Sequence, residues 1–331
     1  MEPEPWTAER LLQTSGSYWA TCALHAGVKL DLFSQLETGP ATAAELARRL
    51  GGDPRGAGML ANALVALGLL SKQGELFANT PFASRQLVRA SPDYLGYILL
   101  HHHHLMESWA HLDRSVKSGG PVRDASAFAD AEWRENFLLG MFNLANRIAP
   151  QMVPQIDLGK RRKLLDLGGG PGTWALHFCR HHPELQAVVF DLPTTRPFAE
   201  ATIKRFELTE RVSFAAGDFL VDPVPRDCDI AWLSHILHGE NPENAARIVA
   251  LSAAALPPGG LLLIHEFVLQ DDATGPLFPA LFSLNMLLGT ESGQSYTNQQ
   301  LSEMLHQAGC REVRRLPVCG PNDSGVLAGV V

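Results

Sequence analysis

Along residues 7–50 apolar side chains recur at intervals of three and four, through AERLLQTSGSYWATCALHAGVKLDLFSQL, which is the period of helices with one buried face. Thr42 with Glu45 three residues on predicts a capping box; Gly51 and Gly52 end that helix, and Asp53 with Pro54 opens the next. GLLSKQGELFANT reads as two short strands around a glycine turn. Helix, turn, helix and hairpin predict a winged-helix module over residues 1–90. Residues 92–119 then predict one long helix and 131–150 another, a helical connector over 91–155. From Arg162 the pattern changes. KLLDLGG, QAVVFDLP, VSFAAGDF, CDIAWLSHI and GGLLLIHEF are apolar runs of strand length, separated by helical stretches such as TWALHFCRHHP and NAARIVALSAAALPP. This alternation predicts an α/β domain over 156–331: a doubly wound, mostly parallel sheet with helices on both faces and a ligand at the carboxyl ends of the strands.

A length of 331 residues agrees with two such domains. With 46% hydrophobic and 19% charged residues the composition is that of a globular protein, and the apolar runs are too short to span a bilayer. The net charge of −8 provides no global attraction for nucleic acid or an anionic membrane, so small-molecule partners are favoured. The second helix of the winged module carries Arg55 as its one fixed positive charge, too few for a groove-reading helix, which points the module toward protein association.

The cysteines, Cys22, Cys179, Cys228, Cys310 and Cys319, are scattered and odd in number, as expected for a reducing cytosol without disulfides or zinc. MEPEPWTAERLLQ is acidic and proline-bearing, unlike a secretory leader, so a cytoplasmic location is expected. Of the four consecutive histidines only His101 and His104 share a helix face, and the next stacked pair is His101 with Leu105. They fit pocket lining better than a metal site, and no metal is expected.

Candidate chemistry centres on KLLDLGGGPGTWALHF. Gly168, Gly169, Gly170 and Gly172 follow a strand and open a helix, where a missing Cβ lets backbone approach a ligand. Dinucleotide folds use a similar turn, but Thr173 stands where their last glycine would fall. Asp191, at the end of the second strand, suits a ribose diol in either kind of site. Together with GDF after the third strand and the long helix ending LPPGG, these features resemble the class I S-adenosylmethionine-dependent methyltransferases, with their Rossmann-like seven-stranded sheet. More narrowly, the chain resembles the dimeric small-molecule O-methyltransferases that include caffeate, acetylserotonin and bacterial natural-product enzymes.

The resemblance implies that Asp166, Gly168 and Gly170 hold the methionine end of S-adenosylmethionine, and Asp191 the ribose. Gly217, Asp218, Phe219 and Leu192 would contact the adenine, and S-adenosylhomocysteine would be the product. Ser234 stands where the family often has a cofactor-contacting lysine or arginine. His238 matches the family's general base, with Gly239 and Glu240 in place of its usual following residues. A phenol, with pKa about 10, needs such a base near neutral pH. His235, three residues earlier, reads as packed or pocket-lining.

Glu266 matches one acid that orients the base. Ser295 occupies the place of the second, with Glu291 nearby as a substitute. Phe137, Met141, Met286 and Thr290 fall on the family's acceptor-pocket positions, although core packing explains such residues equally well. His101 to His104 and Trp109 could add donors to that wall. The winged-helix module becomes a homodimerisation domain, with Trp6, Tyr18 and Trp19 either at the interface or packed within one chain. The implied reaction is methyl transfer to a hydroxyl of a small aromatic acceptor. Alternatives are carbon or nitrogen methylation, an NAD-dependent oxidoreductase, and a non-catalytic cofactor-binding regulator.

Overall fold

A computed structural model of the chain describes residues 5–123 and 130–331, so the first four residues of the acidic N-terminal stretch lie outside the described residues. The chain divides into two compact units, 1–105 and 106–331.

In the first unit, helices α1 (Ala8–Gly16), α2 (Tyr18–Lys29), α3 (Leu32–Glu37), α4 (Ala43–Leu50) and α5 (Pro54–Ala66) precede a hairpin of β1 (Leu70–Gln73) and β2 (Leu76–Asn79). Helix α6 (Pro81–Leu87) follows. Thr42 and Glu45 form the expected capping box, and Gly51 ends α4 in the left-handed region with φ of 66°. Asp53 caps α5, accepting from Gly56 N at 3.0 Å. Leu32, Phe33, Leu46, Leu64 and Phe77 fill the core. Helix α1 buries no residue, and Trp6, Leu11, Leu12, Tyr18 and Trp19 are all exposed on the chain. Trp6, Tyr18 and Trp19 are therefore not buried by packing within one chain, although Tyr18 and Trp19 touch edge to face.

Residues 92–119 form two helices rather than one: α7 (Gly96–Trp109), which the unit boundary crosses, and α8 (Leu112–Ser118). His111, at φ −114° and ψ 20°, sits outside the helical region and breaks the run. Helix α9 (Ala131–Met152) is capped by Asp130, which accepts from Trp133 N at 2.9 Å.

The second unit continues with β3 (Lys163–Leu167), α10 (Thr173–His181), β4 (Gln186–Asp191), α11 (Arg196–Arg205), β5 (Val212–Ala216) and β6 (Ile230–Ser234). Then follow α12 (Pro242–Ala254), β7 (Leu261–Leu269), α13 (Leu277–Gly289), β8 (Tyr296–Thr297), α14 (Asn298–Gln307), β9 (Arg311–Cys319) and β10 (Ser324–Val330). The sheet runs β5-β4-β3-β6-β7-β10-β9, with the two-residue β8 beside β7; β10 alone runs antiparallel to both of its neighbours. Helical cover on both faces is as the alternation predicts, and seven principal strands are as the family resemblance implies.

Period-2 alternation gives the central strands β3, β6 and β7 two buried faces. Leu164, Trp232 and Leu263 enter one core, whereas Leu165, Leu233 and Ile264 enter the other. Strand order reverses between β3 and β6, which opens a crevice at their carboxyl ends.

Candidate active site

Two groups of side chains gather at that end of the sheet, both within the second unit. The first surrounds the turn from β3 into α10. Gly168 has φ of 63°, and a Cβ there would stand 2.6 Å from Ile236 Cγ2, so both conformation and space demand glycine. Gly168 N donates to Phe190 O at 2.8 Å, and Gly217 N donates to Asp191 O at 3.0 Å, which ties the tips of β3, β4 and β5 together.

Asp191 accepts from Gly170 N at 2.8 Å through Oδ2, and from Leu192 N at 2.7 Å and Thr195 Oγ1 at 2.9 Å through Oδ1. Burial raises its carboxyl pKa, and these three bonds act against the rise. The residue expected at a ribose thus also fixes the glycine turn. Leu192 beside it remains 47% exposed, an apolar side chain at a strand tip.

Asp166 is fully buried. Its Oδ2 accepts from Ala175 N at 3.1 Å in the first turn of α10, while Oδ1 has no partner. Burial pushes this carboxyl up to about 7. Asp218 Oδ1 accepts from Leu220 N at 2.8 Å, and the half-buried Phe219 lies 3.4 Å from the position of a Cβ on Gly168. An orphaned buried carboxylate oxygen, a glycine cradle and an uncovered leucine beside a carboxylate fit a ligand carrying an amino-acid end, a diol and a flat ring.

The second group lies beyond β6. Glu266 on β7 is 1% exposed; its Oε1 accepts from Leu237 N at 2.9 Å and His238 N at 3.4 Å, and its Oε2 accepts from His238 Nδ1 at 2.7 Å. His235 Nδ1 stands 3.5 Å from the same Oε2. Burial works to raise the Glu266 pKa, but the charge and hydrogen bonds of the two histidines outweigh it and hold the carboxyl below the ordinary carboxylate range. An ionised carboxylate only accepts, so whenever the His238 ring is neutral its proton sits on Nδ1 and the lone pair is on Nε2.

His235 has φ of 57°, rare for a non-glycine residue, at the turn where the chain leaves β6. His235 Nδ1, His238 and Glu266 together bring three donor atoms within 4.8 Å of one another. The Oε2 at their centre is already committed to the His238 bond.

On the opposite face of β7, one residue earlier, His265 is fully buried. Its Nδ1 pairs with Ser234 Oγ at 2.9 Å and its Nε2 with Ser324 Oγ on β10 at 3.1 Å. Burial drives its pKa well below the ordinary value, so it is neutral and one ring nitrogen donates while the other accepts. It stacks on Trp232 at 5.5 Å and meets Trp174 edge-on at 5.1 Å. The Ser234 hydroxyl therefore serves this internal network.

Around His238 stand aromatic rings that sequence reasoning did not single out. Phe282 meets it edge-on at 4.8 Å, and Phe267 contacts both Phe278 and Phe282 at 4.8 Å. Thr290 Oγ1 donates to Met286 O and accepts from Gly293 N, and a Cβ on Gly293 would stand 2.5 Å from His238 O, which places Thr290 beside the turn bearing His238. Met286 is buried. Phe137 and Met141 lie one turn apart and half-buried on α9, which packs on α10.

Ser295 is buried and donates to Pro279 O at 2.9 Å, and Glu291 is exposed, so among the described residues neither pairs with His238. Ser295 instead lines a separate surface cavity of about 530 Å³ with Asp271 and Glu303, which contains no histidine. Trp109 Nε1 donates to Asn285 Oδ1 at 3.3 Å. His101 to His104 fall in the first unit, where His103 Nε2 lies 3.2 Å from Lys29 Nζ.

Comparison with known proteins adds a family to this geometry. Residues 117–311 match an O-methyltransferase domain and residues 12–89 an O-methyltransferase dimerisation domain. The chain is 37% identical over 318 residues to 3-hydroxy-5-methyl-1-naphthoate 3-O-methyltransferase of Streptomyces sahachiroi, covering 94% of this chain and 92% of that one. It is 36% identical over 319 residues to the tetracenomycin polyketide synthesis 8-O-methyl transferase of Streptomyces glaucescens, covering 94% of each. The structure of human N-acetylserotonin methyltransferase in complex with SAM superposes with a TM-score of 0.85 at 25% identity, covering 100% of this chain and 99% of that one. With both domains matched in order over most of its length, the chain belongs to the S-adenosylmethionine-dependent O-methyltransferases that carry an N-terminal dimerisation domain.

Proposed function

We propose that the enzyme methylates a hydroxyl of a small fused-ring aromatic acceptor, with His238 as general base and Glu266 as the residue that sets its tautomer. The observation that carries this reading is the 2.7 Å bond from His238 Nδ1 to a carboxylate fixed by two backbone N–H groups. Its Nε2 is then the proton acceptor, and the edge of Phe282 and the ring of Phe267 offer apolar walls for a flat acceptor.

S-adenosylmethionine supplies an electrophilic methyl group on a sulfonium. The chain supplies a cradle without phosphate-neutralising charge: Gly168 and Gly170 for close backbone approach, Asp166 for the amino-acid end, and Asp191 for the diol. Leu192, Gly217, Asp218 and Phe219 would take the adenine. Ser234 supports this reading only indirectly, by holding His265 under the site. Phe137, Met141, Met286 and Thr290 are the proposed acceptor-side wall. The naphthoate and tetracenomycin enzymes support an aromatic acceptor through their names.

We further propose a homodimer formed through the exposed apolar residues of α1 and α2. A cytoplasmic location is proposed on the scattered free cysteines; among the described residues no helix is long and apolar enough to cross a membrane. Family membership sets aside the nicotinamide reading. The test is transfer of a labelled methyl group to a panel of naphthols, hydroxynaphthoates and arylamines, with the methylated atom identified by NMR. Labelled methyl ethers support the proposal; methylation on nitrogen or carbon alone overturns it.

A further inference from the structure

Arg123 is a half-buried cation, and among the described residues no carboxylate pairs with it. Its Nη2 donates to Ser108 Oγ at 3.2 Å and to Asn285 Oδ1 at 3.2 Å, both neutral acceptors. Nε is buried without a hydrogen-bond partner, and among the described residues Nη1 makes no hydrogen bond and no acid forms an ion pair with the group. Burial alone lowers its pKa. Taking a guanidinium out of water without a counter-charge is costly, and the negative end of α13, whose Leu288 carbonyl accepts from Val122 N and Arg123 N, compensates only part of it.

The surroundings hold this side chain in place rather than neutralise it. Asn285 Oδ1 is shared between Arg123 and Trp109 Nε1, which fixes the amide, and Gly289 leaves the space that Arg123 Nη1 occupies: a Cβ there would stand 2.4 Å from it. Phe282, Asn285 and Gly289 follow one another at steps of three and four, so they lie along one face of α13. Phe282 touches the His238 ring at one end of that face, and Arg123 abuts the other. Seven helical residues separate the two ends, about 10 Å. That is the scale of a fused-ring aromatic molecule with its hydroxyl at one end and an anionic group at the other. The unpaired Nε–H of this guanidinium offers a charge-assisted donor suited to a carboxylate oxygen.

We propose that Arg123 binds a carboxylate of the acceptor, so that the acceptor class is hydroxylated fused-ring aromatic acids rather than neutral phenols. The inference rests on the reading of His238 as the base beside the acceptor. The test compares 6-hydroxy-2-naphthoate with its methyl ester and with 2-naphthol, by equilibrium binding to the S-adenosylhomocysteine complex and by methyl transfer. Wild-type protein should bind the acid at least about tenfold more tightly than either neutral compound, as expected for a charge-assisted pair. Arg123→Gln should bring the acid to the level of the ester and leave the ester unchanged, and Arg123→Lys should fall between.

Equal affinity of the wild type for acid and ester overturns the proposal without requiring any variant. So does an Arg123→Gln protein that weakens acid and ester alike, which would mark the residue as a brace for α13. Tight, Arg123-dependent binding of the acid with no methyl transfer to any of the three compounds would refute the transfer reading and leave the carboxylate subsite supported.

Discussion

Replacing Glu266 by Gln removes one charge at nearly constant volume, and the structure dictates how the amide must orient. The position of Oε1 accepts from Leu237 N at 2.9 Å and His238 N at 3.4 Å, so the amide oxygen is claimed there and the NH₂ group turns toward His238. An NH₂ opposite Nδ1 requires Nδ1 to accept. The ring proton then moves to Nε2, and the lone pair that would take the acceptor's proton is lost. The variant should therefore lose the whole contribution of general-base catalysis, a factor of roughly 10² to 10⁴ or about 3 to 5 kcal/mol of barrier. The assay is kcat for labelled methyl transfer to a phenolic acceptor at saturating cofactor, beside calorimetric affinity for S-adenosylhomocysteine, which should change by less than about threefold. The pH dependence provides an internal control. A phenol with pKa about 10 ionises unaided above that pH, so the ratio of wild-type to variant kcat should shrink toward one between pH 7 and pH 10. A Glu266→Gln enzyme with near wild-type kcat at pH 7, or a ratio that stays flat with pH, would refute the role assigned to this pair.

Asp166, with its pKa pushed up to about 7, takes up a proton on folding between the unfolded carboxyl value near 4 and about 7, so its effect is to lower stability as pH rises through that window. Asp166→Asn should therefore gain stability relative to wild type from pH 5 to pH 8, by at most about 4 kcal/mol, while losing cofactor affinity; parallel melting profiles would contradict this. Gly168→Ala meets both a φ of 63° and Ile236, so it should cost about 1 to 3 kcal/mol and weaken S-adenosylhomocysteine binding more than about tenfold, and unchanged binding would argue against the cradle. The pair Leu12→Glu and Trp19→Glu, at side chains 72% and 70% exposed, should convert dimer to monomer in light scattering with unchanged circular dichroism; a mass that does not change would place the interface elsewhere. Treatment with EDTA should leave turnover unaltered, and a loss restored by zinc would reassign His235, His238 and Glu266 as ligands.

Much of this architecture is legible in the sequence because it rests on local rules. The capping box at Thr42, the Asp53 and Pro54 start, and the apolar runs of β3 to β7 each depend on neighbouring residues alone. The break at His111 does not, since no glycine or proline marks it and the apolar period continues through it. His265 escapes notice inside LLLIHEFVL, where a single polar residue in a buried strand has no local signature. Its partners Ser234 and Ser324 lie 31 and 59 residues away and meet it only once β6 and β10 flank β7. Strand alternation could have shown that His265 and Glu266 face opposite sides, and so that the two neighbours serve different networks. The Phe267, Phe278 and Phe282 cluster and the isolated charge of Arg123 are likewise products of tertiary assembly.

The Glu266 carboxylate is anchored by backbone N–H groups at the end of the sheet, whereas most of the proposed acceptor wall is borne on α9 and α13. On the proposed reading, proton removal and molecular recognition thus reside on separate parts of the scaffold. New acceptor preferences can arise by exchanging side chains along those two helices while the imidazole and its anchor stay intact, which makes them the natural places to begin redesigning the enzyme.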